Sequence, residues 1–242
     1  MSLIEVRNLT AKYNEKIILD NISITIYPNE ITVILGTSGS GKTTFLKNIT
    51  RLIEPFSGSV HIFGENITAM DELQYTQILK KIGMLFQNGA LLNSISVYEN
   101  IAIPLEQHSN LSSDIIDIII KKKLELVGLS NAINLLPSEL SGGMKKRAAL
   151  ARAIALDPQI LFFDEPSAGL DPITSENLDD LIITLKNLLN ISLIIVTHEI
   201  ASINRIADRV IFFDKGKIVF HGKLNDVIYS NSEIVRKFFG IL

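Results

Sequence analysis

Ile31-Thr32-Val33-Ile34-Leu35-Gly36-Thr37-Ser38-Gly39-Ser40-Gly41-Lys42-Thr43-Thr44 is the stretch whose reading decides the fold. Its first five residues form a short, apolar and β-branched block, the pattern of a central parallel strand covered on both faces. From Gly36 to Thr43 the residues follow the spacing of a phosphate-binding loop, and a helical pattern follows from Thr44. The chemistry explains the spacing. Glycines let the backbone curl so that consecutive N–H groups and a helix N-terminus converge on an anionic phosphate chain. Lys42 adds a full positive charge, and Thr43 offers a hydroxyl to Mg²⁺.

Working outward, Ile82 to Phe86, Ile160 to Phe163, Leu193 to Val196 and Val210 to Phe213 are further apolar blocks, separated by segments of helical spacing. That alternation predicts a parallel sheet with crossover helices. Asn21 to Ile26 alternates with period two, and Ile4 to Val6 and Ser59 to Ile62 are similar, which predicts half-buried strands in the first third. Between Val97 and Ala155 the spacing is helical with no convincing strand. The expected architecture is therefore α/β, with a sheet core and β subdomain over 1–90 and 156–242 and an inserted helical lobe over 91–155. Asp214-Lys215-Gly216-Lys217 predicts a hairpin turn near the end, followed by short helices. The block Ile160-Leu161-Phe162-Phe163-Asp164-Glu165 ends in two carboxylates, which would emerge at the carboxyl ends of the strands where the phosphate loop also lies. Asp164 is the candidate for the Mg²⁺ shell. Glu165 is the candidate for orienting and deprotonating an attacking water.

Composition narrows the classes. The 242 residues are 47% apolar and 20% charged, which suits one packed unit with lobes and excludes a disordered chain. No apolar run approaches the ~20 residues of a membrane span, and the N-terminus lacks a basic start with an apolar block, so the expected compartment is the cytoplasm. With no cysteine there is neither a disulfide nor a thiolate metal site. The net charge of −3 and scattered basic residues exclude the electrostatic footprint of a nucleic-acid binder. Lys121-Lys122-Lys123 and Lys145-Lys146-Arg147 read as solvated helix faces.

Leu140-Ser141-Gly142-Gly143-Met144, opening a helix that continues to Ala153, resembles the signature motif of the ABC (ATP-binding cassette) ATPases. Met144 departs from the usual glutamine and Asn29 from a frequent glycine, whereas Ser141, Gly142 and Gly143 match. A serine and exposed N–H groups at a helix start form a second anion site. The resemblance covers the whole chain. It implies a P-loop NTPase with a RecA-like parallel-sheet core, an N-terminal antiparallel β subdomain and an inserted helical subdomain. It also implies that Ser141, Gly142 and Gly143 meet ATP held by a second protomer. In the same resemblance Tyr13 is similar to the aromatic that stacks on adenine and Gln87 to the glutamine linking Mg²⁺ or water to the membrane subunits. Asp171, in Ala168-Gly169-Leu170-Asp171, is similar to a loop between protomers, and His198 to the histidine that contacts the terminal phosphate. Read singly, Tyr13 is also a packing residue and Asp171 also a helix cap.

Within that family, Leu136-Pro137-Ser138-Glu139, the Met-ended signature and Asp171-Pro172-Ile173-Thr174 resemble the ATPases of MCE-associated lipid transporters. Phe86 to Leu92 and Val97 to Leu105 do as well. These include the Mla and toluene-tolerance systems of Gram-negative envelopes. The resemblance implies ATP and Mg²⁺ as ligands, phospholipid as cargo and a position on the cytoplasmic face of the inner membrane. The partners it implies are a second ATPase protomer, membrane permease subunits, an MCE-domain lipid-binding protein and, in some systems, a STAS-domain protein. An amino-acid importer or a lipoprotein-releasing system uses the same chemistry and stays open on sequence alone.

Overall fold

The structure, a computed structural model, describes residues 2–241. Its contacts divide the chain into two units, the first made of Met1–Ile78 with Ile194–Leu242 and the second of Leu79–Leu193.

The first unit opens with β1 (Ile4–Tyr13) and β2 (Lys16–Ile26), continues through β3 (Ile31–Gly36) and α1 (Lys42–Ile49), and adds β4 (Ser57–Ile62), β5 (Glu65–Asn66) and most of α2 (Glu72–Leu79). β2, β1, β4 and β5 lie side by side as an antiparallel sheet. β1 is much longer than the Ile4 to Val6 alternation predicts, because its register shifts between Val6 and Leu9 around Asn8, whose φ is 49°. The shift resets which residues face inward, so Val6 and Leu9 are both buried although three positions apart.

The second unit begins with β6 (Ile82–Leu85) and runs through α3 (Val97–His108), α4 (Ser113–Leu126), α5 (Gly142–Ala153), β7 (Ile160–Asp164) and α6 (Pro172–Leu189). β6 and β7 pair in parallel, Ile82 opposite Ile160 and Leu85 opposite Phe163. Between α3 and α5 the described backbone holds helices and two short 3-10 turns. Ser96 and Glu99 form a reciprocal capping box that starts α3.

β8 (Ser192–Val196) crosses the boundary between the units. The chain then completes the first unit with α7 (Ile200–Ile206), β9 (Arg209–Asp214), β10 (Lys217–Lys223) and α8 (Glu233–Phe238). β3 pairs in parallel with β9 from Thr32–Arg209 to Gly36–Phe213, and β9 pairs antiparallel with β10. Every residue of β3 is buried, as its composition predicts. The hairpin turns at Lys215 and Gly216, with φ of 46° and 77°, the left-handed pair that matches strand twist. No helix among the described residues is long and apolar enough to cross a membrane.

The two basic runs are only partly solvated. Lys121 and Lys122 face solvent, but Lys123 is buried and ion-paired with Asp157 at 2.5 Å. Lys146 is buried too, its ammonium turned onto the main-chain oxygen of Gln87. Both violate the solvated-face expectation for the same reason: the stem packs in the apolar interior while the charged tip reaches a specific oxygen at the edge.

Candidate nucleotide site

In the first unit the loop between β3 and α1 is shaped by its glycines and braced from two sides. A Cβ on Gly36 would stand 2.0 Å from the Phe213 carbonyl oxygen, so the close pairing of β3 with β9 admits only glycine there. Gly41 opens α1 with φ 104° and no side-chain cap, which leaves the first N–H groups of the helix without a side-chain acceptor. An uncapped helix start is a ready anion site. Lys42 Nζ donates to the Gly36 and Thr37 carbonyls at 2.9 and 3.0 Å, folding its charge over the loop. Ser38, Gly39 and Thr43 are exposed, and Thr44 is half-buried. Ser40 is buried and its Oγ has no hydrogen-bond partner, an arrangement that costs free energy unless a ligand completes it.

The β9–β10 turn supplies a brace that sequence reasoning missed. Thr37 Oγ1 donates to Asp214 Oδ1 at 3.1 Å, and Gly216 N–H donates to the Ser40 carbonyl at 3.1 Å. Asp20 N–H in turn donates to the Gly216 carbonyl, tying β2 into the same cluster. The turn composition was visible, but nothing local in it points to a loop far earlier in the chain.

Tyr13 ends β1 and is 46% exposed. Together with Lys16, Ile18 and Gly39 to Thr44 it lines an open cleft of about 340 Å³. The structure thus brings the predicted aromatic and the phosphate loop into one depression. His198 is exposed one residue beyond Thr197, whose N–H donates to the Ile34 carbonyl at 3.3 Å. That bond sets the end of β8 beside the end of β3.

The remaining candidates belong to the second unit. Asp164 ends β7 and Glu165 follows with φ 49°, a left-handed posture that a residue with a Cβ adopts only under constraint. Both are half-buried. Ser141 caps α5, its Oγ accepting from Met144 N–H at 3.3 Å, which leaves the serine proton available to an anion. A Cβ on Gly143 would lie 2.7 Å from Thr174 Cγ2, so this glycine is needed for the signature turn to sit against the start of α6. Thr174 is itself held by Asp171, which accepts from Thr174 N–H at 3.0 Å and from its hydroxyl at 2.5 Å. Those bonds from Thr174 hold the Asp171 carboxyl below its ordinary pKa. In this chain Asp171 is the cap of α6.

Gln87 is exposed at its side chain, while its backbone is gripped by α5. Beyond Lys146 on the Gln87 carbonyl, Arg152 donates to the Gly89 and Ala90 carbonyls, each at 2.8 Å. Farther along, the buried Asn100 side chain accepts from Leu92 N–H and donates to the Leu92, Ile95 and Ser96 carbonyls. Neither Lys146, Arg152 nor Asn100 stands out in the sequence, since a basic or amide residue on a helix reads as solvent-facing.

The family model of the ABC transporter matches residues 19–168. The intermembrane phospholipid transport system ATP-binding protein MlaF of Haemophilus influenzae is 41% identical over 237 residues, 98% of this chain and 90% of that protein. Among solved structures, cbiO1 from Clostridium perfringens, part of the complex cbiONQ, superposes with a TM-score of 0.85 at 28% identity, covering 98% of this chain and 94% of that one. The cassette MJ0796, solved as a dimer in a post-hydrolysis state bound to ADP and Pi, gives 0.83 at 31% identity, with 91% and 98% covered.

Proposed function

From the premise that this chain belongs to the ABC transporter family and is its ATP-binding, ATP-hydrolysing subunit, we propose that it powers phospholipid transport between membranes of a Gram-negative envelope. The observation that carries the ATP reading is the phosphate cradle: an uncapped helix start at Gly41, a buried Ser40 hydroxyl without a partner, and Lys42 folded over the loop. The cargo reading is supported by the 41% identity with MlaF across 98% of the chain.

In this reading Tyr13 stacks on adenine and Gly36 to Thr44 wrap the phosphates. Glu165 takes the proton of the water that attacks the terminal phosphorus, while His198 and Gln87 position the reacting groups. Thr43, Asp164 and Gln87 are the residues that would hold Mg²⁺. Among the described residues no group of three or more His, Cys, Asp or Glu could hold a metal. A set of one hydroxyl, one carboxylate and one amide fits Mg²⁺, which keeps waters and substrate phosphates in its shell. The bound ion would supply charge neutralisation at the phosphates.

Ser141, Gly142 and Gly143 serve the nucleotide of a second protomer, with Asp171 at the junction. The segment from Gln87 through the helical lobe of residues 91–155 docks on membrane permease subunits, with the chain on the cytoplasmic face of the inner membrane. An MCE-domain lipid-binding protein and a STAS-domain protein complete the assembly.

Two experiments test this. Glu165→Gln should keep ATP binding and lower turnover by roughly two to four orders of magnitude, the range for loss of a general base; undiminished hydrolysis sinks the assignment. Purification of the tagged chain from gently solubilised native membranes should recover a polytopic permease, a single-span MCE protein and enriched phospholipid. A permease with a solute-binding protein or with lipoprotein-release components would instead discard the cargo.

A further inference from the structure

On the loop side, the grip of α5 on the Gln87 segment uses three main-chain oxygens. Lys146 bonds the Gln87 carbonyl and Arg152 spans the Gly89 and Ala90 carbonyls. Gly89, with φ 72°, brings its backbone so close that an added Cβ would be 3.2 Å from Ala149 Cβ. Residues 146, 149 and 152 recur every three positions and therefore share one face of the helix. Ser141 caps the N-terminal end of that same helix.

We infer that Lys146 and Arg152 are positioning residues that fasten the Gln87 loop to the signature helix, so that the loop and Ser141 move as one piece. The inference rests on the roles proposed above for Gln87 and Ser141. Its physical basis is charge and geometry: hydrogen bonds from a charged donor to a carbonyl are stronger than neutral ones, and an Arg fork to two successive carbonyls fixes direction as well as distance. A hydrogen-bonded helix transmits displacement along its axis at 1.5 Å per residue, which puts Lys146 only about 7.5 Å along α5 from Ser141. A partner that draws on the loop would therefore draw on the serine that faces the second nucleotide. Without the two cations the loop would move alone.

The test uses the purified full chain with Lys146→Met, Arg152→Met and Arg152→Lys, comparing kcat, KM for ATP and amide hydrogen exchange at residues 88–92. Both Met variants should exchange faster in that segment by about tenfold while the phosphate loop is unchanged, because its local opening loses a charged hydrogen bond. kcat should fall by about tenfold with KM within about twofold, the split expected when an interaction serves the transition state rather than ground-state binding. Arg152→Lys, which keeps the charge on a single nitrogen but loses the fork, should fall between. Wild-type kcat in both Met variants, or a lost kcat without faster exchange at 88–92, overturns the inference. If one Met variant does not fold, the other with Arg152→Lys decides by the same readouts. Absence of ATP turnover in the wild-type chain would refute the proposed function, and the exchange measurement would still decide whether the clamp exists.

Discussion

Glu165 sits in the left-handed region of backbone space, and replacing it separates what its side chain does from what its backbone tolerates. Glu165→Ala and Glu165→Gly delete the same carboxylate and the same contacts, so their stabilities differ mainly by the backbone. For an L-residue the left-handed conformation costs about 1–2 kcal/mol, from which glycine is exempt. Against that, glycine gives the unfolded chain extra freedom that costs about 0.4–1 kcal/mol on folding. The net expectation is that the glycine variant is more stable than the alanine variant by about 0.8 kcal/mol. In a right-handed segment the order is reversed, with glycine worse by roughly 0.5–1 kcal/mol. Urea unfolding of the two nucleotide-free variants, fitted with a common slope, measures the difference, and both should be inactive in ATP hydrolysis. An alanine variant equal to or more stable than the glycine variant would refute the claim that the fold holds strain at this carboxylate.

Lys42→Ala should weaken ATP binding by about 10- to 100-fold, the equivalent of one lost charge-assisted contact, and an unchanged affinity for a fluorescent nucleotide would contradict the phosphate role. Asn100→Ala removes the amide partner of the Leu92 N–H and of the Leu92 and Ile95 carbonyls, while the Ser96 carbonyl keeps the main-chain N–H of residue 100, and should cost about 1–3 kcal/mol in urea unfolding. A loss too small to resolve would show that water replaces the amide. Burial pushes the Tyr75 phenol up to about 12 from its ordinary 10.0, and its hydroxyl donates to the Thr50 carbonyl at 2.6 Å. A raised folded value means that its stabilisation is fully present below pH 10.0 and lost as pH rises through about 12. Near-ultraviolet titration of the chain and of Tyr75→Phe should differ by a phenol ionising near the upper value; a missing phenol that titrates near 10 would overturn this.

Much of the site was legible because its chemistry forces particular residues at fixed spacing. The β3 block, the Gly36 to Thr43 loop and the acidic end of β7 are each local, and the structure adds the reason for Gly36, whose Cβ would meet the Phe213 carbonyl. The hairpin at Lys215 and Gly216 was readable from its turn chemistry. What eluded the sequence depends on distant partners. Lys146 reads as solvent-facing until the Gln87 carbonyl, 59 residues earlier, is placed against it. β1 reads as three residues because the irregularity at Asn8 breaks the alternation that marks a strand, and Asn8 N–H finds its acceptor in Ser23 Oγ on the neighbouring strand. Asp171 takes its cap reading by geometry, beside a glycine turn that the cap positions through Thr174.

The brace between the phosphate loop and the β9–β10 turn has a consequence for how the chain is made. Thr37 and Asp214 are 177 residues apart. At synthesis rates of about 5–20 residues per second, the loop leaves the ribosome roughly 10–35 s before the turn that steadies it. During that interval the glycine-rich segment has its sequence but not its scaffold. Nucleotide capture is therefore a late event in the life of the nascent chain, and stalled products ending before Asp214 should neither hold ATP nor compete for it with finished molecules.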